Sequence, residues 1–82
     1  MYTKRAQKDA KHLKNSTLVQ KANNILDLLT EDPFTNPPPF KKLLGNMVGA
    51  YSRRLNEQHR IVYEVYKKER VVKIIRLWTH YE

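Results

Sequence analysis

Residues 51–65 read YSRRLNEQHRIVYEV, and the alternation of their side chains decides the fold. The pattern has a period of two in two runs, Tyr51, Arg53, Leu55 and Ile61, Tyr63, Val65, in which every alternate residue but Arg53 is apolar or aromatic. The polar segment NEQ separates the two runs. Such alternation is typical of strands that bury one face. The stretch therefore predicts an antiparallel β-hairpin.

A third strand follows the polar turn KKER. Val72, Ile74, Arg76 and Trp78 continue the period of two, and we expect Val72, Ile74 and Trp78 to anchor the strand in the core. Three consecutive strands joined by short turns form an antiparallel meander.

Two helices are predicted before the sheet. In residues 3–14, Ala6, Ala10 and Leu13 recur at helical spacing behind Thr3, a candidate N-cap, and the outer face is very basic. The second helix begins at Ser16 or Thr17, ends before Pro33, and buries a stripe formed by Leu18, Ala22, Ile25, Leu26 and Leu29. Residues 32–49 hold all four prolines and both glycines, which predicts an extended connection.

The fold class is therefore α+β, with two N-terminal helices packed on an antiparallel sheet in a single domain, residues 1–82. A chain of 82 residues has a thin core. The absence of cysteine excludes disulfides and thiolate zinc sites, and three scattered histidines do not suggest a structural metal. No apolar run approaches the roughly 20 residues of a membrane span, so we expect a cytoplasmic protein that does not enter a membrane.

The net charge favours a polyanionic partner, nucleic acid first and an acidic protein second. The chain carries 16 Lys and Arg against 8 Asp and Glu, a net charge of +8. Residues 1–40 contribute 6 basic and 4 acidic groups, or +2, whereas residues 41–82 contribute 10 and 4, or +6. We therefore expect the C-terminal half to bind the anion.

The predicted strands carry more cations than a sheet needs. Arg53 and Arg54 are adjacent and so lie on opposite faces, and one of them shares a face with Arg60 across the hairpin. These arginines could simply keep a solvated sheet face soluble. With Lys41, Lys42 and Arg76 added, a phosphate-binding patch is the better interpretation, because guanidinium groups form paired hydrogen bonds to two oxygens.

The last residues supply groups that could act on RNA. His80 can donate a proton to a leaving alkoxide, and the phenol of Tyr81 can orient or stack a base. The alternatives are a frayed terminus for His80 and a core contact for Tyr81. His12 and His59 are expected to be surface residues. Arginines, a lysine, a histidine and a tyrosine suffice for RNA cleavage by attack of the 2′-hydroxyl on its own phosphate, without a metal.

These residues resemble a known family. YSRRLNEQHRIVYEV and the terminal VVKIIRLWTHYE resemble the YoeB/Txe group of RelE-type toxins over residues 3–82. The resemblance implies a RelE-like fold, ribosome-dependent mRNA cleavage and neutralisation by a YefM- or Axe-like antitoxin. It implies that Arg60 stabilises the scissile phosphate, His80 is the general acid and Tyr81 places the RNA. Arg53 and Arg54 would hold backbone phosphates.

Two departures from the family pattern have consequences. Lys41 stands where the pattern has a Glu that serves as general base, and a lysine is normally cationic at pH 7. It could instead stabilise transition-state charge or favour ionisation of the 2′-hydroxyl. Relatives in the family usually begin with a strand before the first helix, and of that strand only Tyr2 and Thr3 are present here. We therefore expect a partner chain or a second copy to cover the sheet edge.

Three functional hypotheses remain open from the sequence. The first is a metal-independent mRNA endoribonuclease. The second is a catalytically weakened or silent relative that binds antitoxin or ribosome without cutting. The third is a DNA-binding repressor subunit, which ranks last because no reading helix is recognisable.

Overall fold

The chain folds into two helices followed by a four-stranded antiparallel sheet in the computed structural model, which describes residues 1–36, 39–43 and 49–79, residues 78 and 79 by backbone alone. The elements are α1 (Lys4–Lys14), α2 (Val19–Glu31), β1 (Phe40–Lys42), β2 (Ala50–Arg54), β3 (Arg60–Tyr66) and β4 (Val71–Thr79). The strands lie in the order β1-β2-β3-β4. The predicted α+β class, with two helices on an antiparallel sheet, is confirmed.

Helix α1 begins at the predicted residue because Thr3 caps it. The Thr3 hydroxyl oxygen accepts a hydrogen bond from the Ala6 N–H at 3.1 Å, which satisfies one of the free donors of the first turn. The same hydroxyl donates to the Ile75 carbonyl in β4 at 2.7 Å. One side chain thus starts the helix and joins it to the sheet.

Helix α2 begins later than predicted. Its N-cap is Leu18, which gives no side-chain cap, while the Ser16 hydroxyl accepts from the Leu18 N–H at 3.0 Å. Ser16 therefore stabilises the turn before the helix rather than the helix itself. The end before Pro33 is as predicted, and the Asp32 carboxylate accepts from the Phe34 N–H at 3.0 Å just beyond it.

The hairpin and the meander are confirmed, but strand β1 was not predicted. Its three residues pair with β2, Lys41 lying opposite Ser52. A strand this short beside prolines shows no alternation that a sequence pattern could reveal. The extended connection predicted for residues 32–49 therefore contributes an edge strand to the sheet.

Both helices pack on one face of the sheet. Their shared core consists of Ala6, Leu13, Ala22, Ile25, Leu29, Leu55, Ile61, Tyr63, Ile74 and Leu77. A smaller cluster of Leu43, Ala50 and Val62 lies apart from it. Because Val62 follows Ile61 in a strand, the two point to opposite faces, so the small cluster marks the face that the helices leave open.

The predicted alternation fails in the second half of β4. Tyr63 pairs with Ile74 but Val62 pairs with Arg76, and a further register shift precedes the pair of Arg60 with Thr79. Irregularities of this kind bend a strand and change which residues face the core. Leu77 therefore joins Ile74 in the core, whereas the sequence pattern placed Arg76 on that face. The core role predicted for Trp78 concerns a side chain outside the described part.

Asp9 of α1 stabilises this irregular part of β4. The residue is 5% exposed, and its carboxylate accepts from Arg76 Nε at 2.7 Å and Nη2 at 3.0 Å. It also accepts from the Leu77 N–H at 3.1 Å, a backbone donor beside the register shifts. The hydrogen bond from Arg76 to Asp9 raises the pKa of Arg76, so this guanidinium stays charged.

The N-terminal residues cover part of the edge of β4. The Ile74 N–H donates to the Met1 carbonyl at 2.7 Å, and the Thr3 N–H donates to the Ile74 carbonyl at 3.0 Å, which makes a parallel bridge at Tyr2. The edge that was expected to need a partner chain is thus partly paired by the chain itself. No helix in the described ranges is long and apolar enough to cross a membrane.

We predict that Asp9→Asn lowers the free energy of unfolding by about 2–3 kcal/mol, because it removes the buried charge of an ion pair whose other member, Arg76, is partly exposed. The matched control is Asp27→Asn at an exposed position of α2, which should change stability by less than about 0.5 kcal/mol. Urea denaturation of both variants measures the difference. Equal effects would contradict the role assigned to Asp9.

Candidate active site

A shallow groove of about 240 Å³ lies on the open face of the sheet, beside the edge strand. It is lined by Pro39, Phe40, Lys41, Ser52, Arg54 and Arg60. Three neighbouring strands thus contribute one cation each. No carboxylate lines the groove among the residues that the structure describes, so the groove attracts anions.

The strand register brings the three cations together. Arg54 lies opposite Arg60, and Lys41 lies opposite Ser52, two residues before Arg54. Residues two apart in a strand point to the same face, and so do directly paired residues. Arg60 Nη1 also makes a long contact of 3.5 Å with the Ser52 hydroxyl.

Placing two arginines directly opposite each other is electrostatically unfavourable. Within the described ranges, neither Arg54 nor Arg60 forms an ion pair with a carboxylate, and the ion pair observed there joins Asp9 to Arg76. A bound phosphate would relieve the repulsion and accept hydrogen bonds from both planar guanidinium groups. The groove is therefore suited to a phosphodiester.

Lys41 is the cation that the edge strand contributes to the groove. It stands on β1, where its strand partner is Ser52. An ammonium group here can neutralise charge that develops on a phosphate in the groove.

Arg53 has a different role from the phosphate binding predicted for it. Its side chain is 0% exposed. Because it follows the groove residue Ser52 directly in β2, it points to the opposite face of the sheet. Its Nη2 donates to the carbonyls of Pro33 at 3.0 Å and Thr35 at 2.8 Å, and its Nε donates to the Tyr63 hydroxyl at 3.2 Å. A guanidinium without exposed surface is not available to RNA, so this prediction is corrected: Arg53 holds the segment that leads into β1.

Arg53 contacts two aromatic residues, Phe40 and Tyr63. Its guanidinium lies 5.1 Å from the centre of the Phe40 ring, and Phe40 is its partner in β1. Tyr63 stacks on Tyr51 at 5.8 Å and donates its hydroxyl hydrogen to the Pro33 carbonyl at 3.0 Å. Burial raises the pKa of Tyr63, so the phenol keeps the hydrogen that makes this bond.

Two further predicted phosphate ligands lie outside the groove. Arg76 forms a two-pronged hydrogen-bonded pair with Asp9, and the phosphate contact predicted for it stays a prediction. Lys42 is exposed on β1 next to Lys41, but it pairs with Tyr51 and so points to the other face. Its predicted contact with RNA stays a prediction.

The predicted general acid follows the last described strand. Strand β4 ends at Thr79, whose partner in β3 is Arg60 of the groove, and His80 is the next residue in the sequence. The roles predicted for His80 and Tyr81 concern residues outside the described ranges. His12 is exposed as expected, whereas His59 is half-buried in the β2–β3 turn, where its N–H donates to the Asn56 side chain at 2.7 Å.

Ser52 is a groove residue that the sequence did not indicate. It is fully buried, lines the groove and contacts Arg60. Its position two residues before Arg54 was the available signal, because that spacing puts both on one face. In the described part of the chain no three His, Asp or Glu side chains come together as a metal-binding group.

Solved structures identify the class of protein. A YoeB/ParE toxin from Agrobacterium tumefaciens superposes with a TM-score of 0.88 at 26% identity, covering 99% of this chain and 96% of that one. A heterotetrameric YoeB–YefM complex and a YoeB dimer, both from Staphylococcus aureus, give TM-scores of 0.83 and 0.82 at 30% identity, covering 99% of this chain and 94% of theirs. The fold is that of a RelE-type toxin.

Sequence comparison then identifies the family. Residues 2–81 match the model of the YoeB-like toxin of bacterial type II toxin-antitoxin systems. Toxin YoeB of Synechocystis sp. is 36% identical over 65 residues, an alignment that covers 79% of this chain and 73% of the relative. The chain therefore belongs to the YoeB-like toxin family.

We predict that Arg53→Met lowers the free energy of unfolding by about 2–4 kcal/mol, because it leaves two carbonyls and a phenol without their charged donor. Its neighbour provides the matched control: Arg54→Met should change stability by less than about 0.5 kcal/mol, since Arg54 is exposed. Chemical denaturation measures both. A destabilisation that is equal for the two arginines would show that burial does not distinguish them.

Proposed function

We propose that this toxin is an endoribonuclease that cleaves mRNA on the ribosome, in the cytoplasm. The observation that carries the proposal is the groove in which Lys41, Arg54 and Arg60 converge beside the end of β4, one residue before His80. Membership of the YoeB-like family supports a toxin role. The geometry supports a phosphodiester as the group on which the toxin acts.

The proposed reaction is a transesterification within the RNA strand. The 2′-oxygen attacks the adjacent phosphorus, the bond from phosphorus to the 5′-oxygen breaks, and the products end in a 2′,3′-cyclic phosphate and a 5′-hydroxyl. His80 gives its proton to the departing 5′-oxygen. Arg60 stabilises the charge on the phosphoryl oxygens, Arg54 holds a neighbouring phosphate and Tyr81 places the RNA.

The proton of the 2′-hydroxyl needs an acceptor, and the groove offers no carboxylate within the described ranges. In the proposed mechanism Lys41 acts as a fixed positive charge. A cation next to the 2′-hydroxyl favours its ionised form, so water suffices to take the proton. The site is thus cationic throughout and needs no metal for charge neutralisation.

The alternative function is a binding module that no longer cuts RNA. The observation that favours it is also Lys41, because an ammonium group cannot serve as a general base while it is protonated. Such a protein would still bind the ribosome or the antitoxin through the same groove. The two functions differ in catalysis and not in binding.

The proposed regulator is a cognate YefM- or Axe-like antitoxin. A Staphylococcus aureus relative is known in a complex with YefM and also as a dimer, and self-association of this chain without antitoxin is part of the proposal. An acidic segment that folds onto the groove would neutralise Arg54 and Arg60 and exclude RNA.

We predict that His80→Ala and Arg60→Ala each reduce mRNA cleavage at least about 100-fold, the scale of losing a general acid or a charge-stabilising donor. The assay incubates programmed ribosomes with each variant and detects fragments with 2′,3′-cyclic phosphate ends. Lys68→Ala, in the exposed turn before β4, is the control and should cleave normally. Unchanged cleavage by both site variants would refute the assigned roles.

We predict that Lys41→Glu changes the cleavage rate much more than Lys42→Glu does, because of the two only Lys41 lines the groove. A cationic mechanism predicts a loss of about 10-fold or more, since a negative charge replaces a stabilising one. A large gain would instead show that the native chain lacks a base, which favours the binding-module function. Circular dichroism of both variants confirms that each is folded.

A further inference from the structure

The outer face of α1 carries more exposed cations than α2, the other helix in the described ranges. Its cations are Lys4, Arg5, Lys8, Lys11 and Lys14, all exposed, with His12 among them. The one acidic residue of the helix is Asp9, which is buried against Arg76. The next acidic residue in the sequence is Asp27 in α2, so nothing on α1 offsets these charges.

The charges form a regular stripe. Lys4, Lys8 and Lys11 follow the i, i+4, i+7 spacing that aligns side chains along one side of a helix, opposite the buried Ala6 and Leu13. At 1.5 Å per residue the stripe is about 10 Å long. This length lets several side chains contact successive phosphates of a nucleic-acid backbone.

This arrangement of cations does not stabilise the helix. Lys4 and Arg5 occupy the first turn, where the positive end of the helix dipole disfavours cations, and no acidic residue is present in that turn. Lys4 and Lys8 are like charges at i, i+4, which also destabilises a helix. Local preferences are usually broken where a surface has a function.

The chemistry of the face selects RNA over other partners. Its exposed side chains are lysine, arginine, histidine and glutamine, with no large apolar residue. Protein interfaces need an apolar or aromatic centre and are depleted in lysine. A membrane-bound helix needs its apolar face free, but that of α1 is buried in the core. Phosphate contacts need only cations.

The α1 face and the groove lie on different sides of the protein. Helix α1 packs on the covered face of the sheet, whereas the groove opens on the other face. An RNA strand seated in the groove would therefore not run along α1. Phosphates that contact α1 would therefore belong to a different RNA segment.

We infer that the outer face of α1 is a second RNA-binding surface, which docks the toxin on the sugar–phosphate backbone of folded ribosomal RNA. The inference rests on the proposed function, since the ribosome is the RNA particle on which that reaction takes place. The α1 face sets affinity for the ribosome, and the groove performs the reaction.

The test compares two triple variants with the same change in charge. Lys4→Gln, Lys8→Gln and Lys11→Gln together neutralise the stripe. Exposed cations elsewhere form the control, which combines Lys21→Gln, Lys68→Gln and Arg70→Gln. Binding to purified bacterial ribosomes is measured over a range of salt concentrations, together with cleavage and binding of a YefM-type antitoxin.

The stripe variant should bind ribosomes about 10- to 100-fold more weakly, and its salt dependence should fall by about 2 to 3 in the slope of log K against log salt. Its KM for ribosomes should rise while kcat stays unchanged, and its melting temperature should not fall. The control triple should keep ribosome affinity within about 3-fold of the native chain, because three exposed charges elsewhere contribute only to nonspecific attraction.

Equal weakening by both triples would overturn the inference, since total charge would then explain binding. Loss of antitoxin affinity with intact ribosome affinity would also overturn it and assign the face to a protein partner. Failure of the proposed function is distinguishable: a native chain that binds ribosomes but does not cleave mRNA refutes the reaction, while the salt slopes still decide the role of α1.

Discussion

The buried guanidinium of Arg53 holds the segment that leads into the edge strand of the groove. Removing a guanidinium from water costs several kcal/mol unless its donors are satisfied, and here they bond to the Pro33 and Thr35 carbonyls and the Tyr63 hydroxyl. These contacts fix an irregular segment that has no ladder of its own. Phe40 packs on the same guanidinium. Arg53 therefore acts together with the pairing of β1 and β2 to position β1, and with it Lys41.

Strand parity explains why two adjacent arginines have opposite roles. Arg53 and Arg54 differ by one position, so one points to the helices and the other to the groove. The sequence predicted that they lie on opposite faces. The apolar residues at alternate positions, Leu55, Ile61 and Tyr63, mark the face that the helices cover, and Arg53 shares that face. The family resemblance assigned both to phosphate, whereas only Arg54 is exposed and so available for that proposed role.

Elements defined by local periodicity could be predicted, and elements defined by distant contacts could not. Thr3 and Pro33 set helix boundaries that a pattern reveals, and the hairpin followed from residues 51–65. The irregular half of β4 depends on Asp9, which lies 67 residues before Arg76. No window of sequence contains that contact. The groove was foreseen in Arg54, Arg60 and Lys41, but Ser52 required the register.

Charge counted along the sequence is a poor guide to charge on the surface. Residues 41–82 hold 10 of the 16 cations, but Arg53 is enclosed and Arg76 is neutralised by Asp9. Residues 1–40 have a net charge of only +2, yet all five lysines and arginines of α1 face solvent while its one acid is buried. In the folded chain, α1 therefore contributes more of the exposed positive charge than the sequence count suggests, and the sheet contributes less. The folded chain therefore presents two separate cationic surfaces, the groove on the open face of the sheet and the outer face of α1.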